Sequence, residues 1–151
     1  MLTTGLFSLI IWIAIVVGFF GFIEIRVMCS HCPHYAEKDS VLRCWANHGI
    51  PKLWKYRPGP MSIIENVVFI GGLIAVWGYP LACLMFTRLW IYLGIYIFLT
   101  AGFFVTLKIL FCSKCMNFAC PLNGVEDSVR ILFFKCNPSV GDAWNQKRDS
   151  K

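Results

Sequence analysis

Charge is what this chain has least of. Asp, Glu, Lys and Arg make up 15% of its 151 residues, where a soluble domain carries about a quarter. Set beside 58% hydrophobic residues and a mean hydropathy of +0.65, that scarcity excludes an ordinary water-soluble domain. It points to a small polytopic membrane protein. Histidine is nearly as scarce. The three are His31, His34 and His48, and none falls in an apolar run. A haem held between membrane helices by two histidines of this chain is therefore excluded. No glycine-rich phosphate loop occurs: Gly71-Gly72 lies in an apolar run and reads as close helix packing. No nucleophile–base pattern stands out, so no catalytic residue is named.

What is present is long apolar runs. Residues 2–23, LTTGLFSLIIWIAIVVGFFGFI, carry no charge and match the ~20 residues that cross a hydrocarbon core. A cleaved signal peptide is the rival reading. It calls for a positive segment first and a small-residue cleavage site, and the first basic residue here is Arg26, after the run. A retained first span over 2–25 is expected. The run from Met61 to Phe111 is long enough for two spans, at about 63–86 and 89–111. A tight turn is placed near Thr87-Arg88, with Tyr79-Pro80 as the alternative corner.

Three spans put loop 26–60 and tail 112–151 on one side. Of the 14 basic residues, all but Arg88 lie in or beside these two segments. The positive-inside rule makes that side cytoplasmic, with the N-terminus opposite. The expected fold is an all-α integral membrane protein: three transmembrane helices with a small irregular Cys-rich cytoplasmic cap, in the inner or plasma membrane.

The cap carries a repeated phrase. C-S-H-C-P-H-Y-A-E-K-D-S-V-L-R-C runs from Cys29 to Cys44. C-S-K-C-M-N-F-A-C-P-L-N-G-V-E-D-S-V-R-I-L-F-F-K-C runs from Cys112 to Cys136. Each directly follows a span, so the chain reads as two span-plus-site modules. Of eight cysteines, only Cys83 sits inside an apolar run. A reducing cytosol disfavours disulfides among the other seven and favours metal binding. C-x2-C sets two thiolates close enough to share a metal. The tail offers Cys112, Cys115, Cys120 and Cys136 as one complete site. The loop offers Cys29, Cys32 and Cys44, with His48 as fourth ligand by spacing and His34 as second choice. His31 is expected to point away. Sites mixing both phrases are also compatible.

Thiolate-rich sites suit iron–sulfur clusters or zinc. Cys32-Pro33 and Cys120-Pro121 share the Cys-Pro that closes bacterial ferredoxin runs. The full C-x2-C-x2-C-x3-C-P run is absent, so the likeness is local. Iron–sulfur is the first reading and zinc the alternative. Glu24 and Glu65, near membrane boundaries, read as interfacial residues beside Arg26 or a Lys, with a proton relay as the sharper alternative. Cys83 reads as a small buried residue. The segment from Gly49 to Met61 mixes Trp54 and Tyr56 with Lys52, Lys55 and Arg57, an anchor on anionic lipid. That accounts for the basic–aromatic mixture without nucleic acid, so the expected partners are the bilayer and a redox or membrane-complex protein. The polar end, Asn145 to Lys151, is expected to fray.

Three functions are compatible. The first is an electron-transfer subunit passing electrons between a soluble partner and a membrane carrier. The second is a zinc-stabilised membrane adaptor. The third is soft-metal transport, with Cys83 on the path.

Overall fold

In the computed structural model, which describes residues 2–44 and 46–149, the chain is helical. Three helices are long and apolar enough to cross a membrane: Gly5–His31, Ile63–Phe86 and Trp90–Lys114. There is no strand among the described residues. One isolated antiparallel bridge joins Val41 and Pro51.

The first long helix is built in pieces. α1 (Leu2–Gly18) passes through a π turn (Phe19–Ile23) into α2 (Glu24–Val27), and a 3-10 turn comes next at Cys29–His31. It therefore outlasts the apolar run, because Glu24 and Arg26 are good helix formers. α3 (Ile63–Phe86) matches the expected second span. It begins with a capping box: Ser62 Oγ accepts from Glu65 N at 3.2 Å, and Glu65 Oε2 accepts from Ser62 N at 2.8 Å. α4 (Trp90–Thr106) ends in a second π turn, Leu107–Phe111.

The corner falls at Thr87-Arg88. Arg88 N donates to Met85 O at 3.1 Å and Leu89 N to Leu84 O at 3.1 Å, the paired bonds of a Schellman end. Arg88 takes the left-handed conformation there, φ 55°, where glycine is the usual choice. Pro80 stays inside α3. Having no N–H, it leaves the carbonyl four residues back without its helical donor. Trp12 Nε1 donates to that carbonyl, Val76 O, at 2.9 Å. Next to it, Tyr96 Oη donates to Trp77 O at 2.8 Å. The proline thus gives both neighbouring helices something to hold. Gly72 faces Phe19, and a Cβ there would overlap the ring, whereas Gly71 meets nothing. Cys83 Sγ lies 3.4 Å from Ser8 Oγ, a helix-packing contact.

The tail differs from the irregular cap expected. It contains α5 (Asp127–Cys136) and α6 (Pro138–Asp149). D-S-V-R-I-L-F-F-K-C has acid first, base last and apolar residues between, which suits a short helix. Phe134 stacks with Trp144 of α6 at 5.6 Å between centroids. The expected fraying end is helical as far as Asp149. Ser150 and Lys151 lie outside the described residues.

Candidate metal centre

The repeated phrase has a repeated shape. Each copy is approached through a π turn, closed by a bond five residues back: Glu24 N to Phe19 O, and Cys112 N to Leu107 O. Each C-S-x then makes one 3-10 turn, Cys29–His31 and Cys112–Lys114. Each second cysteine is extended, Cys32 at φ −73°, ψ 139° and Cys115 at φ −78°, ψ 125°. Pro33 favours that conformation in the first copy; in the second, Cys115 adopts it before Met116 without such help. The serine does the same work twice. Ser30 Oγ donates to Arg26 O at 2.7 Å, and Ser113 Oγ to Ile109 O at 2.6 Å. Such back-bonding draws the helix end out of register.

Beyond the shared turn the copies diverge. After the first, the chain passes Tyr35 and folds back as a hairpin: Leu42 N donates to Ile50 O at 2.8 Å, and Gly49 N to Leu42 O at 2.9 Å. Gly49, at φ 84°, makes the reversal possible. Cys44, Asn47 and His48 lie in this bend. Asn47 turns inward. Its backbone N–H donates to Cys44 Sγ at 3.3 Å and its amide nitrogen to Cys29 Sγ at 3.1 Å. Cys29 packs in an apolar cluster with Ile25, Tyr35 and Leu42. His48 is exposed, and His34 is engaged with Glu37 at 2.7 Å. That bond holds the exposed Glu37 carboxyl below the usual carboxylate range.

After the second copy, two asparagines shape the chain. Asn123 Nδ2 donates to Cys115 O at 2.7 Å and to Asn117 O at 3.1 Å. Asn117, 4% exposed, donates to Met28 O at 3.2 Å, just before Cys29. Gly124 N reaches back to Cys112 O at 2.9 Å, and Lys108 Nζ donates to Leu122 O at 3.0 Å. Ala119 and Cys120 pack on the cluster that holds Val27 and Met61. Loop and tail therefore meet at one end of the helices.

That end is fastened by a polar junction. Arg57 Nη1 pairs with Glu65 Oε1 at 2.6 Å, Arg57 Nη2 donates to Arg26 O at 2.7 Å, and Arg57 N donates to Ser30 O at 2.8 Å. His31 is buried. Its Nδ1 lies 3.0 Å from Gly59 O, and its Nε2 lies 3.4 Å from Glu65 Oε2. A carbonyl can only accept, so Nδ1 carries the proton. Glu65 is therefore paired with Arg57, with His31 Nε2 nearby, rather than with Arg26 or a lysine.

The thiols respond to their setting and to one another. Burial pushes the Cys32 thiol up to about 12; the charges of Cys115 and Cys44 add to this, against a backbone N–H of His34. Burial also raises Cys44, with Glu24 and Cys115 adding and the N–H groups of Asn47 and Ala46 opposing. Cys120 is pushed up to about 11, by burial first and then by Cys115 and Cys112. Cys115 of the tail thus acts on both groups. Cys136 ends α5 and, like His48, is exposed. Among the described residues neither side chain makes a hydrogen bond or ion pair with the other six proposed ligands.

All eight cysteines are free. Among the described residues no three Cys, His, Asp or Glu side chains converge tightly enough to hold a metal ion. Six thiols, Cys29, Cys32, Cys44, Cys112, Cys115 and Cys120, nonetheless occupy adjoining turns. Sequence reasoning missed Asn47, Asn117 and Asn123, whose only local signal is the turn preference of asparagine. It also missed Arg57 as the partner of Glu65. Compared with known proteins, the chain matches no family model, no curated protein and no solved structure.

Proposed function

We propose that this chain is a membrane-embedded electron-transfer subunit whose cytoplasmic face carries thiolate-ligated metal, an iron–sulfur centre by first choice. The observation that supports it is the gathering of six free thiols from both phrases at one end of the helices, where Asn117 of the tail donates to Met28 O beside Cys29 at 3.2 Å. Cys29, Cys32 and Cys44 supply the first centre, and Cys112, Cys115 and Cys120 the second. Spacing assigns Cys136 as the fourth ligand of the second centre; in the first, His48, the candidate by spacing, is exposed in the hairpin bend. The chain's own part is to bring the donors from two segments together, to keep water off the first pair, and to present lysines and arginines to an acidic redox partner. When bound, such a centre supplies one-electron chemistry, and unequal ligand sets give the two centres unequal potentials.

The second reading is a zinc-stabilised adaptor. The packing of Cys29 among Ile25, Tyr35 and Leu42 favours it, because a structural zinc closes short loops that lack a large core of their own. Metal analysis with visible and EPR spectra on protein purified without oxygen separates them. Several iron atoms per chain with cluster absorption support electron transfer. About two zinc atoms per chain and no colour support the adaptor.

A further inference from the structure

Glu24 is 6% exposed and, among the described residues, enters no ion pair. A carboxyl so placed is costly unless something compensates it, and in a membrane helix it is a functional candidate. Its Oε1 lies 3.5 Å from Asn47 Nδ2, a long contact, and its Oε2 is buried with no hydrogen-bond partner among the described residues. The same Asn47 nitrogen lies 3.1 Å from Cys29 Sγ, and the Asn47 backbone N–H lies 3.3 Å from Cys44 Sγ. One neutral residue thus offers its donors to a carboxyl group and two thiols at once. All three partners are groups that a cation would hold more strongly. The π turn matters here. It inserts one residue immediately before Glu24. That rotates α2 by about 100°, and so sets the side of the helix on which Glu24 stands relative to α1.

We propose that Glu24, not His48, completes the first centre, joining Cys29, Cys32 and Cys44 as donors to a thiophilic divalent cation or to one iron of a cluster. The proposal rests on the thiolate reading of the cap. Binding draws Asn47's amide out and the four donors in, so it is coupled to local folding. A carboxylate in place of imidazole adds one negative charge to the ligand set, which stabilises the oxidised form of a redox centre. It is also a harder, more easily displaced donor for a soft metal.

The test is Co²⁺ titration of the full-length chain in detergent, read by thiolate-to-cobalt charge-transfer and ligand-field bands. With Glu24→Gln, Co²⁺ binding is expected to weaken by about 10-fold or more, and the ligand-field bands shift. With His48→Ala, binding and bands stay as in the unmodified chain. Asn47→Ala separates ligation from packing: a ligand role leaves Co²⁺ affinity unchanged or higher, whereas a purely structural Glu24–Asn47 contact gives the same loss as Glu24→Gln. Full helicity of Glu24→Gln by circular dichroism is required alongside. If Glu24→Gln binds Co²⁺ like the unmodified chain, or His48→Ala loses it, the proposal is overturned while the thiolate centre stands. If the unmodified chain shows no thiolate–cobalt bands, the thiolate centre falls and this proposal with it.

Discussion

The two C-S-x-C phrases share a backbone and differ in surroundings. Both leave a π turn, make a 3-10 turn and straighten at the second cysteine. Yet Cys29 and Cys32 are 4% and 6% exposed, while Cys112 is half-buried and Cys115 exposed. The turn is local, set by serine back-bonding and helix-end geometry. Burial is not local. It comes from the hairpin, Tyr35 and Arg57 folding over the first phrase; the second is met by Asn123 and Gly124, which bond Cys115 O and Cys112 O. A repeated motif therefore fixes shape, and whatever folds over it fixes environment.

The contrast is sharpest in thiol reactivity. In metal-free protein, maleimide should label Cys115 faster than Cys32 by on the order of 100-fold, since a buried thiol reacts only after local opening. Mass spectrometry of single-labelled peptides reads this. The pH profile adds a second axis. The thiolate is the nucleophile, so Cys32, pushed up to about 12, should gain rate about tenfold per pH unit from pH 7 to 10, without the plateau an ordinary thiol shows near 8.5. The linkage has one sign. Between the unfolded and folded values the native chain binds more protons, so stability declines as pH rises through that window. A plateau for Cys32 near 8.5 would remove the contrast.

Breaking the junction should erase it. Glu65→Ala leaves Arg57 without its carboxylate. A cost of about 2–3 kcal/mol is expected, below the figure for fully buried pairs because the Arg57 side chain is 31% exposed. Labelling of Cys32 should rise while that of Cys115 stays put. Denaturant titration in detergent, with the labelling assay, checks both.

Gly72→Ala forces a methyl into the Phe19 ring beneath the first π turn. It should destabilise by about 1–3 kcal/mol, whereas Gly71→Ala, with open space around it, should be nearly silent. Equal effects from the two would mean that α3 does not pack closely at Gly72. Asn117→Ala removes the bond to Met28 O and should cost about 1 kcal/mol, loosening the tail from the loop as read by hydrogen exchange at residues 117–120. The smallest effect is expected at the far corner. Arg88→Gly relieves a left-handed arginine and should stabilise by up to about 1 kcal/mol, with cysteine labelling unchanged.

Much of the frame was legible. Ile63–Phe86 matches the second expected span at both ends, because hydropathy and a capping box mark it in adjacent residues. The corner at Thr87-Arg88 was visible as the one polar break in an apolar run. The site was less legible. Spacing offered His48, yet His48 lies exposed beside Gly49, and the group turned toward Cys29 is Asn47. No periodicity reports which side of a hairpin bend faces inward. The tail helices were missed because two short segments of mixed composition carry a weak pattern, and α5 gains Trp144 as a partner only once α6 folds back.

Sequence by itself determined three helices able to span a membrane, the corner between the second and third, and the repeated cysteine turn. Each rests on residues within about a helical turn or two of one another, where composition and steric preference act directly. Tertiary structure alone decided that Arg57 pairs with Glu65, that Asn117 ties the tail to Met28, and that Glu24 meets Asn47 near Cys29 and Cys44. The Asn117–Met28 partners are 89 residues apart in sequence and the Glu24–Asn47 partners 23. A buried polar group takes whichever partner the packing of the helices brings within reach.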